Sequence, residues 1–157
     1  MDITYRKASE TDIDTLIRLR LDYLSADRGE LSNDETEAVV MQLKDYFPKH
    51  LNSSFIALLS EYSGQAVSSV FMAVSEKPAN PAFISGKTAT IMNVFTYPDY
   101  RCMGIATKLL TMMICEARVM NISYLELSAT DSGKPLYEKL GFVHKQSKYT
   151  EMRLELL

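Results

Sequence analysis

Ile91-Met92-Asn93-Val94-Phe95-Thr96-Tyr97-Pro98-Asp99-Tyr100-Arg101-Cys102-Met103-Gly104-Ile105-Ala106 is the stretch on which the fold turns. Its first part is apolar and rich in strand-forming residues, and Pro98 marks a turn. From Gly104 onward the apolar residues recur at helical spacing. A glycine between a strand and a helix lets the backbone turn tightly and bare its amides. The first amides of a helix have no partner inside it, and the helix dipole adds positive charge there. Such a place can seat a phosphate with backbone alone. The bland alternative is an ordinary turn that needed one glycine. The stretch lacks the Gly-Lys-Ser/Thr of a nucleotide P-loop. It is no dinucleotide fingerprint either, because Asp99 and Arg101 stand where the earlier glycines belong.

C-terminal to this stretch, Ile105, Ala106, Leu109, Leu110, Met113 and Ala117 form a wide apolar stripe, so Gly104 to Arg118 reads as the clearest helix. Tyr124 to Leu127 reads as a buried strand, which makes residues 91–127 a βαβ-like unit. Asp131 or Ser132 starts a short helix that tolerates Pro135 in its first turn and ends at Gly141. Phe142-Val143 begins another strand. In a last one, Met152, Leu154 and Leu156 alternate with Glu151, Arg153 and Glu155.

On the N-terminal side, Ile3 to Arg6 reads as a strand and Ser9 as a helix N-cap partnered by Asp12. Ile13, Leu16, Ile17, Leu21 and Leu24 carry a helical stripe to about Ser25. Arg20 falls inside that stripe, where its stem lies on the core and its head goes either to a cleft or to water. Asp27 to Glu30 reads as a loop. Asn33 or Asp34 caps a second helix that runs to about Tyr46, with Pro48 helping to end it. Phe55 to Leu59 and Val67 to Val74 form a hairpin about Ser63-Gly64-Gln65, and Thr88 to Thr96 is a third strand. Its alternation becomes irregular near Asn93-Val94-Phe95, as at a bulge.

The chain has 157 residues, 46% hydrophobic and 24% charged, the balance of an ordinary globular protein with a real core. We read mixed α and β in one domain spanning residues 1–157. A net charge of -3 without a basic block weighs against nucleic acid as a partner. There is no signal-peptide core and no bilayer-length apolar run, so the expectation is a cytoplasmic protein without membrane contact. Cys102 and Cys115 lack disulfide or metal spacing, and with no histidine near them in sequence both read as structural thiols.

Tyr137 is the second candidate for chemistry. Leu136 and Leu140 bury one face of its short helix, so the Tyr137 ring can pack while its hydroxyl reaches a cleft. The bland alternative is a core-edge tyrosine bonded to a carbonyl. Asp22, Asp27, Glu30, Asp34 and Glu35 tilt the first two helices acidic, which suits a cationic ligand and equally a solvated face.

Taken together, residues 91–106 and Leu136-Tyr137-Glu138-Lys139-Leu140-Gly141-Phe142 resemble the GNAT superfamily of acyl-CoA N-acyltransferases. Arg101, Gly104 and Ala106 match the family's Gln/Arg-x-x-Gly-x-Gly/Ala loop, with Cys102 and Met103 at its free positions. The close match covers about residues 91–143, and the order of elements fits over the rest.

The resemblance implies an α+β fold with a central mixed, mostly antiparallel twisted sheet of six to seven strands and about four helices. It implies acetyl-CoA as co-substrate, no metal, an amine as acceptor and, as in many relatives, a homodimer. Carried over, the backbone of Val94, Phe95 and Thr96 would pair with the pantetheine arm. The amides of Arg101, Cys102, Met103, Gly104, Ile105, Ala106 and Thr107 would hold the pyrophosphate. Tyr137 would stand at the thioester sulfur as the acid that protonates the leaving thiolate. The implied activity is acetyl transfer to a primary amine of a small molecule or peptide, by direct attack in a ternary complex. The alternative is a non-catalytic acyl-CoA-binding regulatory module. Some relatives carry a Glu base on the central strand, where this chain has Thr88, Thr90 and Asn93. That leaves a water relay to Asp22, Asp27 or Glu30, or a substrate that arrives neutral, and no base is assigned.

Overall fold

The computed structural model describes residues 1–157. Five strands form one sheet in which chain order and spatial order coincide: β1 (Thr4–Lys7), β2 (Phe55–Tyr62), β3 (Gln65–Glu76), β4 (Lys87–Thr96) and β5 (Leu125–Glu126). The first three pairings are antiparallel and the last is parallel. The helices are α1 (Ile13–Arg28), α2 (Asn33–His50), α3 (Ile105–Val119) and α4 (Lys134–Lys139). The parallel pair is joined through α3, so the expected βαβ unit is present.

Each face of the sheet carries its own core. Along β2, Phe55, Ala57 and Leu59 pack with Leu16, Leu19, Leu43 and Phe47 of α1 and α2. Ile56 and Leu58 pack with Leu109, Leu110 and Met113 of α3 on the other side. A strand covered on both faces reads as an unbroken apolar run, which is why β2 shows no polar alternation. The β2–β3 turn places Ser63 and Gly64 at φ 50° and 76°, the left-handed pair of a primed hairpin turn.

In β4 the register slips where Val70 of β3 faces both Asn93 and Val94. Asn93 takes a left-handed φ of 53°. The extra residue reverses the faces: Ala89 and Ile91 point to α3 before it, and Val94 points there after it. Phe95 moves to the α1–α2 side. This is the bulge that the irregular alternation signals.

The sheet has five strands where six to seven were expected. Neither Phe142-Val143 nor Glu151 to Leu156 forms a strand, and no backbone–backbone hydrogen bond lies beyond the Phe142 N–H. Met152, Leu154 and Leu156 are 91, 81 and 83% exposed. Alternation marks which residues share a face, but a strand also needs a ladder, and β5 pairs at only two positions. β5 is half-buried rather than buried.

Three helix limits also shift. α1 continues to Arg28, so Asp27 and Arg28 are helical. α2 is capped by Ser32, whose hydroxyl accepts from the Glu35 N–H while Glu35 accepts from the Ser32 N–H. α2 also passes Pro48, because buried Phe47 anchors its last turn and accepts from the Leu51 N–H at 2.9 Å. At the start of α1, Asp12 receives the Ser9 N–H and two guanidinium bonds from Arg6, which also grips Glu61. These donors hold the Asp12 carboxyl at about 2.

Candidate functional site

The site is built where β4 and β5 part. They pair at Ala89–Leu125 and Thr90–Glu126, after which β5 ends and β4 continues to Thr96. From Ile91 onward the edge of β4 that faces away from β3 therefore has no strand beside it. The β3 side is closed: the Ser68 hydroxyl donates to the Phe95 carbonyl at 2.7 Å and the Ser69 hydroxyl to the Asn93 carbonyl at 3.2 Å. Val94, Phe95 and Thr96 all lie along this half-open edge.

At its end the chain enters the loop of Arg101 to Gly104 and then the first turn of α3. Cys102 and Gly104 both take left-handed backbone, at φ 59° and 74°, and Gly104 is the N-cap of α3. The result is a run of bare donors. The N–H groups of residues 102–107 have no backbone or side-chain acceptor, and the first backbone bond of the turn runs from Lys108 to the Gly104 carbonyl at 3.1 Å. A helix start leaves its first amides free, and here the loop ahead of it adds more. Arg101 is fixed at the rim by its Nε, which donates to the Thr96 carbonyl at 2.9 Å. Successive free N–H groups at the positive end of a 15-residue helix make an anion seat.

Tyr137 lies on α4, its ring edge-on to Phe142 at 6.0 Å between centroids. It is half-buried, and its hydroxyl makes no hydrogen bond within the protein, so it is not the carbonyl-bonded core tyrosine of the bland alternative. Burial, with a smaller contribution from Tyr23, raises its pKa above the ordinary 10. It therefore stays protonated at neutral pH, as a proton donor must.

A cavity of about 900 Å³ opens beside Tyr137, lined by Thr90, Leu127, Ser128, Ala129 and residues of the final stretch such as Val143 and Lys145. It does not reach the 102–107 loop. The loop and this cavity are thus separate, with Tyr137 at the cavity.

The acidic residues of the first helices do not converge on the opening. Asp22 accepts the Tyr97 hydroxyl, and Tyr97 is pushed up to about 12 by burial and that contact. Glu35 is used in the α2 cap, and Asp27, Glu30 and Asp34 are exposed. The thiols of Cys102 and Cys115 are both exposed, so neither is a packed structural cysteine.

Sequence reasoning missed how Asn93 and Arg20 meet. Asn93 is 1% exposed, and its amide donates to the Leu19 carbonyl and the Ser69 hydroxyl. Its Oδ1 is thereby turned to Arg20, whose Nη1 lies 3.4 Å away. The available signal was Arg20 inside the apolar stripe of α1, which forced its head to cross the helix edge. Tyr23, one turn further along α1, sits beneath the Arg20 guanidinium at 5.7 Å from ring centroid to Cζ.

Residues 52–144 match the family model for the acetyltransferase (GNAT) domain. The fold is similar to a predicted acetyltransferase from Clostridium acetobutylicum solved with acetyl-CoA, with 27% identity, TM-score 0.80, and 97% of this chain and 96% of that one covered. It is similar to a GCN5-related N-acetyltransferase from Ralstonia eutropha at 20% identity and TM-score 0.74, covering 96% of this chain and 99% of that one. An acetyltransferase of Trypanosoma brucei matches at 22% identity and TM-score 0.68, covering 99% and 100%. No curated protein sequence matches the chain.

Proposed function

The chain belongs to the GNAT acetyltransferase family, and from that premise we propose that it moves an acetyl group from acetyl-CoA to a primary amine. The observation that carries this reading is the run of unpartnered amides at 102–107, set at one end of the opening beside β4. A crystal structure of the Clostridium relative holds acetyl-CoA, which supports the same co-substrate here.

In this reading the loop amides hold the pyrophosphate. The free edge of β4 at Val94, Phe95 and Thr96 pairs with the pantetheine arm, and the thioester arrives between the bulge and Tyr137. A neutral amine nitrogen attacks the thioester carbonyl carbon, and a backbone N–H at the bulge meets the developing oxyanion. As the tetrahedral species collapses, the carbon–sulfur bond breaks and the Tyr137 hydroxyl gives its proton to the departing thiolate. The amine releases its surplus proton to solvent, from which Tyr137 recovers its own. No covalent enzyme intermediate is required, and no side chain is assigned as base.

Calorimetry with acetyl-CoA, followed by thiol release over a panel of primary amines, tests the proposal. Saturable binding with amine-dependent thiol release is expected. Binding without transfer to any amine would favour a non-catalytic acyl-CoA-binding module, and no binding would overturn the reading altogether.

A further inference from the structure

Arg6 and Arg20, two of the arginines on the α1 side of the sheet, have different surroundings. Arg6 is tied to both Asp12 and Glu61 at 2.7 and 2.6 Å. Arg20 has no carboxylate within ion-pair distance, although its side chain is half-buried and reaches Asn93. Burial is the largest influence on it and lowers its pKa, while Asp27 and Arg28 act in opposite senses at longer range. A guanidinium keeps its charge regardless. A half-buried cation without a counter-charge costs stability, and proteins ordinarily pair such groups.

The head of Arg20 is also aimed. Asn93 spends both amide hydrogens on Leu19 and Ser69, which fixes its Oδ1 against one arginine nitrogen. Tyr23 supports the guanidinium from below. The other Arg20 N–H groups have no protein acceptor and are not fully buried. The contact with Asn93 places the guanidinium at the bulge of β4, because Asn93 is the left-handed bulge residue and its side chain is the group that Arg20 reaches.

We propose that Arg20 is the anion anchor of the acceptor subsite, so that the preferred acceptor is a primary amine carrying a carboxylate or a phosphate. The inference rests on the transferase reading above. The planar fork of the guanidinium suits either oxyanion, and an acceptor held there by its anion presents its nitrogen toward the bulge and Tyr137. Of the acidic residues of the first helices, which suit a cationic amine, Asp22 is occupied by Tyr97, and Asp27 acts on Arg20 without forming an ion pair with it.

The test uses the full chain saturated with acetyl-CoA and matched amine pairs: glycine against glycinamide, ethanolamine phosphate against ethanolamine, with spermidine as a cationic control. The anionic member of at least one pair is expected to have the higher kcat/KM. The better pair tells carboxylate from phosphate. In Arg20→Gln the anionic-to-neutral ratio should fall about 10- to 100-fold, through KM rather than kcat, the size of a lost charged hydrogen bond. Arg20→Lys should restore part of the ratio. As a readout apart from turnover, the favoured anionic amine should raise the melting temperature of the wild type and of Arg20→Lys but not of Arg20→Gln. If the neutral amines or spermidine are preferred, or if Arg20→Gln slows every amine equally, Arg20 is only a structural tie of α1 to β4 and the proposal falls while the transferase reading stands. If acetyl-CoA does not bind, or no amine is acetylated, both fall together.

Discussion

The opening beside β4 and the final stretch from residue 142 onward carry equally strong strand patterns, yet only one of them is a strand. β4 has a ladder on β3 along most of its length and an apolar core on each face. The final stretch has neither, and beyond Phe142, which packs on Tyr137, its apolar side chains stand in water. The contrast teaches that periodicity specifies faces, whereas partners and covering layers decide whether a strand forms. It also divides the labour of the site. The end proposed to receive the acetyl donor is made of backbone, held by a sheet and a 15-residue helix. The other end depends on a few aimed side chains, namely Arg20, Tyr23, Asn93 and Tyr137.

The largest effect that sharpens this division is at Tyr137. Tyr137→Phe should lower kcat by ~10²-fold or more, the usual weight of a general acid, while calorimetry shows acetyl-CoA affinity kept. Equal turnover would remove the one side chain placed at the thioester and leave only backbone in the mechanism.

Acid comes next, because it separates the anchored start of α1 from the loosely tied final stretch. Asp12 is held at about 2 against an ordinary 3.8, so its contribution is complete above pH 4 and is lost as pH falls toward 2. Denaturant titrations should show ~2 kcal/mol lost over that window from this group, and Asp12→Asn should remove the dependence. The exposed pairs of Lys145 with Glu126 and Glu151 should add nothing measurable. Equal acid sensitivity after removing those pairs instead of Asp12 would break the comparison.

Gly64 and Gly104 offer a matched test of the loop. Both have left-handed φ, and a Cβ on either would meet nothing within 4 Å. Alanine at each should therefore cost a similar ~1–2 kcal/mol of stability through backbone strain alone. Only Gly104→Ala should also weaken acetyl-CoA, by about tenfold, because the relaxed loop must be forced back to bind. Equal affinities in the two variants would reduce the loop to a turn. The smallest effect is expected from deleting residues 150–157, under ~1 kcal/mol by thermal denaturation, since no backbone bond is lost.

The local structure at the loop end was legible because its signals are local and agree. The helical stripe of α3, the glycine ahead of it and the broken alternation at Asn93 each have a direct structural counterpart in the helix, the left-handed cap and the face reversal. The limits of the sheet were not legible, because Met152, Leu154 and Leu156 show the right period without showing what would lie against them. The aim of Arg20 was hidden for a different reason. It depends on an asparagine 73 residues away whose orientation is set by Leu19 and Ser69, a long-range tie that no local pattern encodes.

The central claim is that the bare amides of the loop hold the acetyl donor, and backbone NMR during an acetyl-CoA titration tests it at those very atoms. The largest N–H shifts are predicted at Cys102 through Thr107 and along Val94, Phe95 and Thr96. Saturable binding that leaves those amides unmoved and shifts others instead would contradict the account.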